Sequence, residues 1–436
     1  MKTNHPSRLS GRPVYIVDGR RAPQLKARGA PGPFTASDLA VQAGRELLLR
    51  QAFAPERFDE VILGCVAPGP DEANIARIAA LRLGCGEATP AYTVQRNCAS
   101  GMQAVENAAL DIASGRAELV LAGGAEAMSH SPVLLADALV AWLAAWNRAR
   151  GAGARARQLA RLKPAMLKPV IGLLRGLTDP VTGLSMGQTA EKLAWRFDIG
   201  REAMDAYAVR SHQRLAAAQQ AGWLEDEITP LFDRHGALHE QDDGVRPDSD
   251  IERLARLRPV FDRPVGRVTA GNSSQVSDGA CWLVLASEEA VTRHDLTPIG
   301  RVVDSQWAAL DPSEMGLGPV FAMAPLLERH GFDSDDIDFW EINEAFAAQV
   351  LACLAAWRDD DYNRKWFGRR RGFAPIPESR LNVDGGGISL GHPVGVSGAR
   401  IVLHLLRVLR RNHARRGVAS LCIGGGQGGA LLIETL

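Results

Sequence analysis

The sequence has no CxxC pair among its six cysteines, no surplus of either charge and no long apolar run. Without paired cysteine spacing there is neither a disulfide framework nor a zinc site, so no metal is expected and a reducing compartment fits best. Lys plus Arg and Asp plus Glu each number 50, which argues against nucleic-acid binding through overall charge. No stretch of about 18 uninterrupted apolar residues is present to span a bilayer, and the basic start, Met1 to Arg12, lacks the apolar run of a secretory signal. The expectation is a soluble protein, most simply cytoplasmic. Its 436 residues, 46% of them apolar, are enough to bury a large core in two or three domains.

Glycine is plentiful, at 44 residues, and clusters in short runs at the ends of apolar segments. Val14 to Asp18, Val61 to Val66 and Tyr92 to Asn97 have the pattern of buried strands, with a helical stretch at Leu39 to Gln51. A helix is predicted from about Cys98 to Ser114, then a strand, Leu119 to Ala122, ending in Gly123-Gly124. The last third repeats the theme. Ile337 to Ile342 predicts a strand and Ala345 to Trp357 a helix; a helix opened by Gly385 to Gly398 runs to about Arg411, and the strand Val418 to Ile423 ends in Gly424-Gly425-Gly426. The alternation implies an α/β fold with a mostly parallel sheet and an internal duplication. Residues of about 130 to 274 differ in character, being helical, rich in Arg and broken by Pro230, Pro247, Pro259 and Pro264, and are expected to form an inserted domain.

Cys98 is placed where a strand gives way to a helix, in Gln95-Arg96-Asn97-Cys98-Ala99-Ser100-Gly101. A thiol at a helix N-terminus is expected to have a lowered pKa and act as a nucleophile; the competing reading is an ordinary buried cysteine. His392 stands among glycines and before Pro393, which suits an imidazole held as a base at a cavity wall. Cys422 ends an apolar strand at a sheet edge. Asn343, at another strand-to-helix junction, is either a helix cap or a group that orients a water toward a carbonyl oxygen. Gly271-Asn272-Ser273-Ser274 suits either a turn or the wall of a channel for a long polar ligand. The run Gly424 to Gly429 matches G-x-G-x-x-G after a strand, but Ala430 to Leu436 predicts another strand where a dinucleotide site needs a helix. Nicotinamide binding is therefore not expected, while the backbone N–H groups of the turn can form an oxyanion hole.

Taken together, Asn97-Cys98-Ala99-Ser100-Gly101, Gly123 to Ser129, Asn343-Glu344-Ala345-Phe346, Gly391-His392-Pro393 and Cys422-Ile423-Gly424-Gly425-Gly426 resemble the thiolase family in order and context. The resemblance implies a duplicated five-layer αβαβα core with an inserted helical loop domain that covers coenzyme A. On that reading the N-terminal half is 1–129, completed by about 275–295, the loop domain is 130–274, and the C-terminal half is 296–436. By the same resemblance Cys98 is acylated, His392 activates it, and Cys422 is the acid or base at the α-carbon. Asn343 with a water and His392 would stabilise the enolate oxygen, and the N–H groups of Cys98 and Gly424 the acyl-enzyme. Met186, Ser273 and Ser274 would meet substrate or coenzyme A, which is a co-substrate, with no other cofactor.

Ser185 stands where short biosynthetic members have His. The long segment 131–183 and the insert Trp357 to Ser379 are more similar to long-chain 3-ketoacyl-CoA thiolases of β-oxidation, which act with a hydratase/dehydrogenase partner. Acetoacetyl-CoA synthesis by an acetyl-CoA acetyltransferase is the alternative, with a non-catalytic lipid-binding protein of the same fold behind it. A decarboxylating ketosynthase would show a second histidine where this chain has Asn343. The expected assembly is a homodimer or a dimer of dimers. Ala138 to Gly176 holds eight Lys or Arg and no acidic residue. It predicts either a solvated face whose apolar side packs on the core, or a surface that docks a partner subunit or an anionic membrane or receives the phosphates of coenzyme A.

Overall fold

The computed structural model describes residues 9–436. Its first half runs β1 (Val14–Arg21), α1 (Ala36–Leu49), β2 (Glu60–Gly64), α2 (Ile75–Arg82), β3 (Ala91–Val94), α3 (Ser100–Ala113) and β4 (Leu119–Ala127). A long excursion carries α4 (Asp137–Arg148), α5 (Ala152–Leu159), α6 (Met186–Arg196) and α7 (Arg201–Gln220) before β5 (Ser277–Ala286). The second half follows with β6 (Gly300–Ala309), α8 (Gly318–His330), β7 (Phe339–Ile342), α9 (Ala347–Arg358), α10 (Asp360–Phe367), α11 (Ser397–Arg411), β8 (Arg416–Ile423) and β9 (Gln427–Glu434).

These strands pair in the order β7-β8-β9-β6-β1-β5-β4-β2-β3, with the short strand Leu25–Lys26 beside β5. The duplication is explicit in that order. Counting from its own first strand, each half places its last strand next, then the strand before it, then its second. Only β2 with β3, β2 with β4, and β7 with β8 are parallel. The expectation of a mostly parallel sheet is thus corrected: β5 and β9 return antiparallel beside β4 and β8, and the run Gly424 to Gly426 marks a hairpin return rather than a βα turn.

Residues alternate between two buried faces along the central strands. Val61 and Leu63 pack with Leu39, Leu47 and Ile75 of α1 and α2, while Ile62 packs with Met102 and Val105 of α3 and with Leu403 of α11. Likewise Val418 faces α8 and α9, whereas Ala419, Leu421 and Ile423 face α11. The result is helices, sheet, the α3/α11 pair, sheet and helices, in five layers. Gly123-Gly124 does not end its strand as expected; β4 runs through it. A Cβ on Gly124 would lie 2.1 Å from the carbonyl oxygen of Gly395, so the missing side chain lets the loop after His392 lie against β4.

The later part of the excursion is bolted to the core by buried polar groups. Arg21 grips Asp242 through two bonds of 2.7 and 2.8 Å and Glu227 at 2.7 Å. From α7, Tyr207 and Ser211 donate to the carboxylate of Glu344 at 2.9 and 2.7 Å, beside the loop that leads to His392.

Candidate active site

Parallel pairing of β7 and β8 brings their carboxyl ends together. Asn343 follows β7 directly and donates its backbone N–H to Ser420 at 2.9 Å, next to the end of β8 that carries Cys422. Asn343 is not the helix cap, because α9 begins only at Ala347 with Phe346 at the cap position.

Cys98 lies in a tight loop between β3 and α3. Ser100 accepts from the N–H of Arg96 at 2.9 Å and donates to the carbonyl of Asn97 at 2.7 Å, and Asn97 adopts φ +44°. Since α3 starts at Ser100 with Ala99 as its cap residue, Cys98 stands ahead of the helix. Burial pushes its thiol up, opposed by the N–H groups of Gly424 and of Cys98 itself, and Glu126 adds to the rise. The sequence expectation of a lowered pKa is therefore corrected: Cys98 rests as a thiol and needs a base.

His392 is buried behind Gly391, which has φ +110°, and its N–H donates to Gln275 at 2.9 Å. Ser397 donates to the carbonyl of Pro393 at 3.2 Å, which leaves its oxygen to accept from Nδ1–H of His392 at 2.6 Å. That assignment puts the free lone pair on Nε2. Burial, reinforced by the charge of Arg400, pushes His392 down to about 4, so the ring is neutral and can take a proton. The amide nitrogen of Asn343 lies 3.4 Å from Nε2, and its Oδ1 has no protein partner.

Cys422 is fully buried, and its pKa is raised well above the ordinary thiol value by burial and then by the neighbouring Cys98 and Cys353. It therefore rests as a thiol. After β8 the chain reverses through Gly425 and Gly426, at φ +88° and +77°, into β9. A strand, not a helix, follows the glycine run. A cavity of about 550 Å³ opens over Cys98, with Asn97, Glu126, Met186, Val394 and Gly424 around its floor and a mostly apolar wall from 131–134 and 172–181.

The thiolase N-terminal domain family matches residues 14–289, and the thiolase C-terminal domain family residues 296–435. The chain belongs to the thiolase family. It is 37% identical over 423 residues to the 3-ketoacyl-CoA thiolase of Yersinia enterocolitica, covering 97% of this chain and 96% of that one. Human mitochondrial 3-ketoacyl-CoA thiolase in complex with CoA superposes with a TM-score of 0.84 at 37% identity, covering 99% of this chain and all (100%) of the other. The Bacillus anthracis acetyl-CoA acetyltransferase superposes with 0.83 at 38% identity, covering 98% and 100%.

Within this thiolase, Ser185 has a definite role: its hydroxyl caps α6 in a reciprocal pair with Gln188, which sets Met186 at the cavity floor. Ser273 and Ser274 do not line the cavity over Cys98. Ser273 donates its hydroxyl to Thr269 at 2.6 Å, and Ser274 donates its backbone N–H to Ala345 at 2.9 Å.

Three residues of the site were not singled out from sequence. Asn97 ties the loop of Cys98 to Gly424, Ser397 sets the tautomer of His392, and Glu126 accepts the N–H groups of Val66, Ala67 and Gly395 at 2.8, 3.0 and 3.1 Å. Asn97 and Glu126 stood within quoted motifs without a role of their own, Glu126 as a carboxylate in the apolar strand Leu119–Ala127, and Ser397 left no signal.

Proposed function

We propose that this thiolase cleaves 3-ketoacyl-CoA with coenzyme A, giving acetyl-CoA and a shortened acyl-CoA, as in fatty-acid β-oxidation. The observation that carries the reading is the pairing of a cavity-facing thiol, Cys98, with a buried one, Cys422, with Gly424 N–H aimed at Cys98 and a neutral imidazole one loop away. His392 takes the proton of Cys98, and the thiolate attacks the keto carbon of the substrate. The oxyanion forms against the N–H groups of Cys98 and Gly424. Collapse breaks the bond between the α-carbon and the former keto carbon. The acetyl-CoA enolate is held by His392 and by a water on Asn343, and Cys422 protonates its carbon. Coenzyme A then gives its proton to the Cys422 thiolate and attacks the acyl-Cys98 thioester; collapse breaks the Cys98 C–S bond, releases acyl-CoA, and returns the proton held by His392 to the departing Cys98 thiolate. Each charge and proton has a protein group, so no metal or redox cofactor is assigned.

The roomy apolar cavity favours an acyl chain longer than acetyl over acetoacetyl-CoA synthesis. The edge strand β3 is half-exposed along its length, which supports pairing with a second copy as a homodimer or dimer of dimers. A hydratase/dehydrogenase is the class of partner that would supply the 3-ketoacyl-CoA. Because the chemistry uses two free thiols, a reducing cytoplasm suits it. The test is thiolysis across a ladder of 3-ketoacyl-CoA lengths. Turnover rising beyond the four-carbon substrate supports the reading, and activity confined to acetoacetyl-CoA contradicts it.

A further inference from the structure

His392, in the loop before α11, meets Asn343, which follows β7, and a second pair of side chains joins α11 to β7 one layer below. Ser397, which opens α11, holds Nδ1 of His392, and Arg400 stands one turn further along the same face. On a helix the Cα–Cβ bond tilts toward the N-terminus, which for Arg400 is the end at Ser397 and His392. Glu341 stands two residues before Asn343 on β7, in register with Ala419, and so faces α11 as Ala419 does. Nη1 of Arg400 lies 3.5 Å from the carboxylate of Glu341, and both side chains are 2% exposed.

The pair is unequal. Nε and Nη1 of Arg400 have no hydrogen-bond acceptor among the described residues, and 3.5 Å is too long for a bond of ordinary strength. Glu341 is also shared, since Nε2 of His404, four residues after Arg400 on α11, lies 4.0 Å from it. The other buried cations of this cluster are better served: Arg21 meets Glu227 at 2.7 Å, His404 meets Glu227 at 2.9 Å, and Arg411 meets Asp384 at 2.8 Å. Burial pushes Glu341 up to about 7 against the pull of His404 and Arg400, so near neutrality its charge is only partly present. A cation left part-neutralised in a dry interior acts over several ångströms.

The other ionisable groups around His392 are engaged or uncharged. Glu126 on β4 is held by the N–H groups of Val66, Ala67 and Gly395, and Glu344 by Tyr207, Ser211 and Asn382. Burial keeps Cys98 and Cys422 as thiols. The charge of Arg400 is accordingly what reinforces burial in lowering His392.

We propose that Arg400 is a positioning residue that acts through His392, its buried charge driving the imidazole to return its proton to Cys98, with Glu341 moderating that push. The inference deepens the thiolase reading and rests on it, because the proton concerned is the one that His392 Nε2 takes from the Cys98 thiol and gives back when the acyl–sulfur bond breaks.

The test combines single-turnover acylation by acyl-CoA from about pH 4 to about pH 8 with iodoacetamide alkylation of Cys98 at neutral pH, read on its own peptide. Arg400→Met should move the acid limb of acylation up by about one pH unit or more and speed alkylation about threefold or more, since a more basic His392 draws the proton from Cys98 at rest. Arg400→Lys should hold the limb within about half a unit of wild type, because the guanidinium makes no two-pronged bond that an ammonium would lose. Glu341→Gln, which leaves the cation unopposed, should slow alkylation. Opposite signs from the two members of one pair are not expected of a merely structural contact. A folded Arg400→Met protein with an unchanged limb overturns the proposal, as does faster or unchanged alkylation in Glu341→Gln. The second result decides the matter even where Arg400→Met fails to fold. Absence of acyl-Cys98 in wild type would instead strike the thiolase reading, and the alkylation contrast does not depend on it.

Discussion

Asn97 donates its side-chain amide to the carbonyl of Gly424 at 2.8 Å, tying the loop before Cys98 to the turn after β8. Those are the two pieces of chain whose N–H groups meet at the sulfur of Cys98. Asn97 also holds φ +44°, a region that most side chains avoid and Asn or Gly tolerates. Asn97→Gly keeps the conformation and removes the bond, and Asn97→Asp sets a carboxylate against a carbonyl. Both should slow formation of acyl-Cys98 by about tenfold to a hundredfold with little change in KM. Rapid-quench measurement of the acylation burst checks this, and an unchanged burst in both variants contradicts a positioning role.

The low pKa of His392 has a sign that can be measured. With the folded value at about 4 against an ordinary 6.5, the unfolded chain binds more protons between those values. Stability therefore rises with pH across that window, and the contribution is lost as pH falls toward 4. His392→Gln should flatten that part of the stability profile, followed by denaturant unfolding. In the wild type, acylation should hold its rate down to about pH 5. An acid limb centred near the ordinary imidazole value would show that the ring is not desolvated.

Cys422 and His392 should separate kinetically. Cys422→Ser should lose thiolysis and condensation by about a hundredfold or more while keeping slow acylation from acyl-CoA, because it leaves His392 to activate Cys98. His392→Ala should lose acylation as well. Single-turnover assays with acyl-CoA distinguish them, and equal loss of acylation in both contradicts the division of roles.

Much of this site was legible in the chain, and what was not has specific causes. Cys98, His392, Cys422 and Asn343 announce themselves because each stands at a junction of an apolar segment with small residues, where backbone ends and side chains are free. The pKa of Cys98 was not legible, since two residues of helix register and the depth of the loop decide it. Gly123-Gly124 has the pattern of a turn, yet the close approach of Gly395 requires it inside a strand. The role of Ser397 depends on one turn of chain folding back over Pro393, which spacing does not reveal. The direction of β5 and β9 was hidden because a buried strand has the same apolar pattern in either direction.

Acyl-chain preference should respond to Gly176, which lines the cavity over Cys98 and whose added Cβ would meet nothing within 4 Å. Gly176→Trp should raise KM for long 3-ketoacyl-CoA more than for acetoacetyl-CoA. Gly172, where a Cβ would lie 2.5 Å from the carbonyl of Pro132, is expected instead to lose stability on substitution. Paired KM values and thermal midpoints for the two variants check both statements, and equal effects on short and long substrates contradict the placement of the acyl chain.

Covalent catalysis at Cys98 is tested most directly by mass spectrometry of the enzyme quenched during turnover of a 3-ketoacyl-CoA. The expected result is the mass of the shortened acyl group on the peptide containing Cys98, absent in Cys98→Ala together with thiolysis. An acyl mass on the peptide containing Cys422, with Cys98→Ala still active, would contradict it.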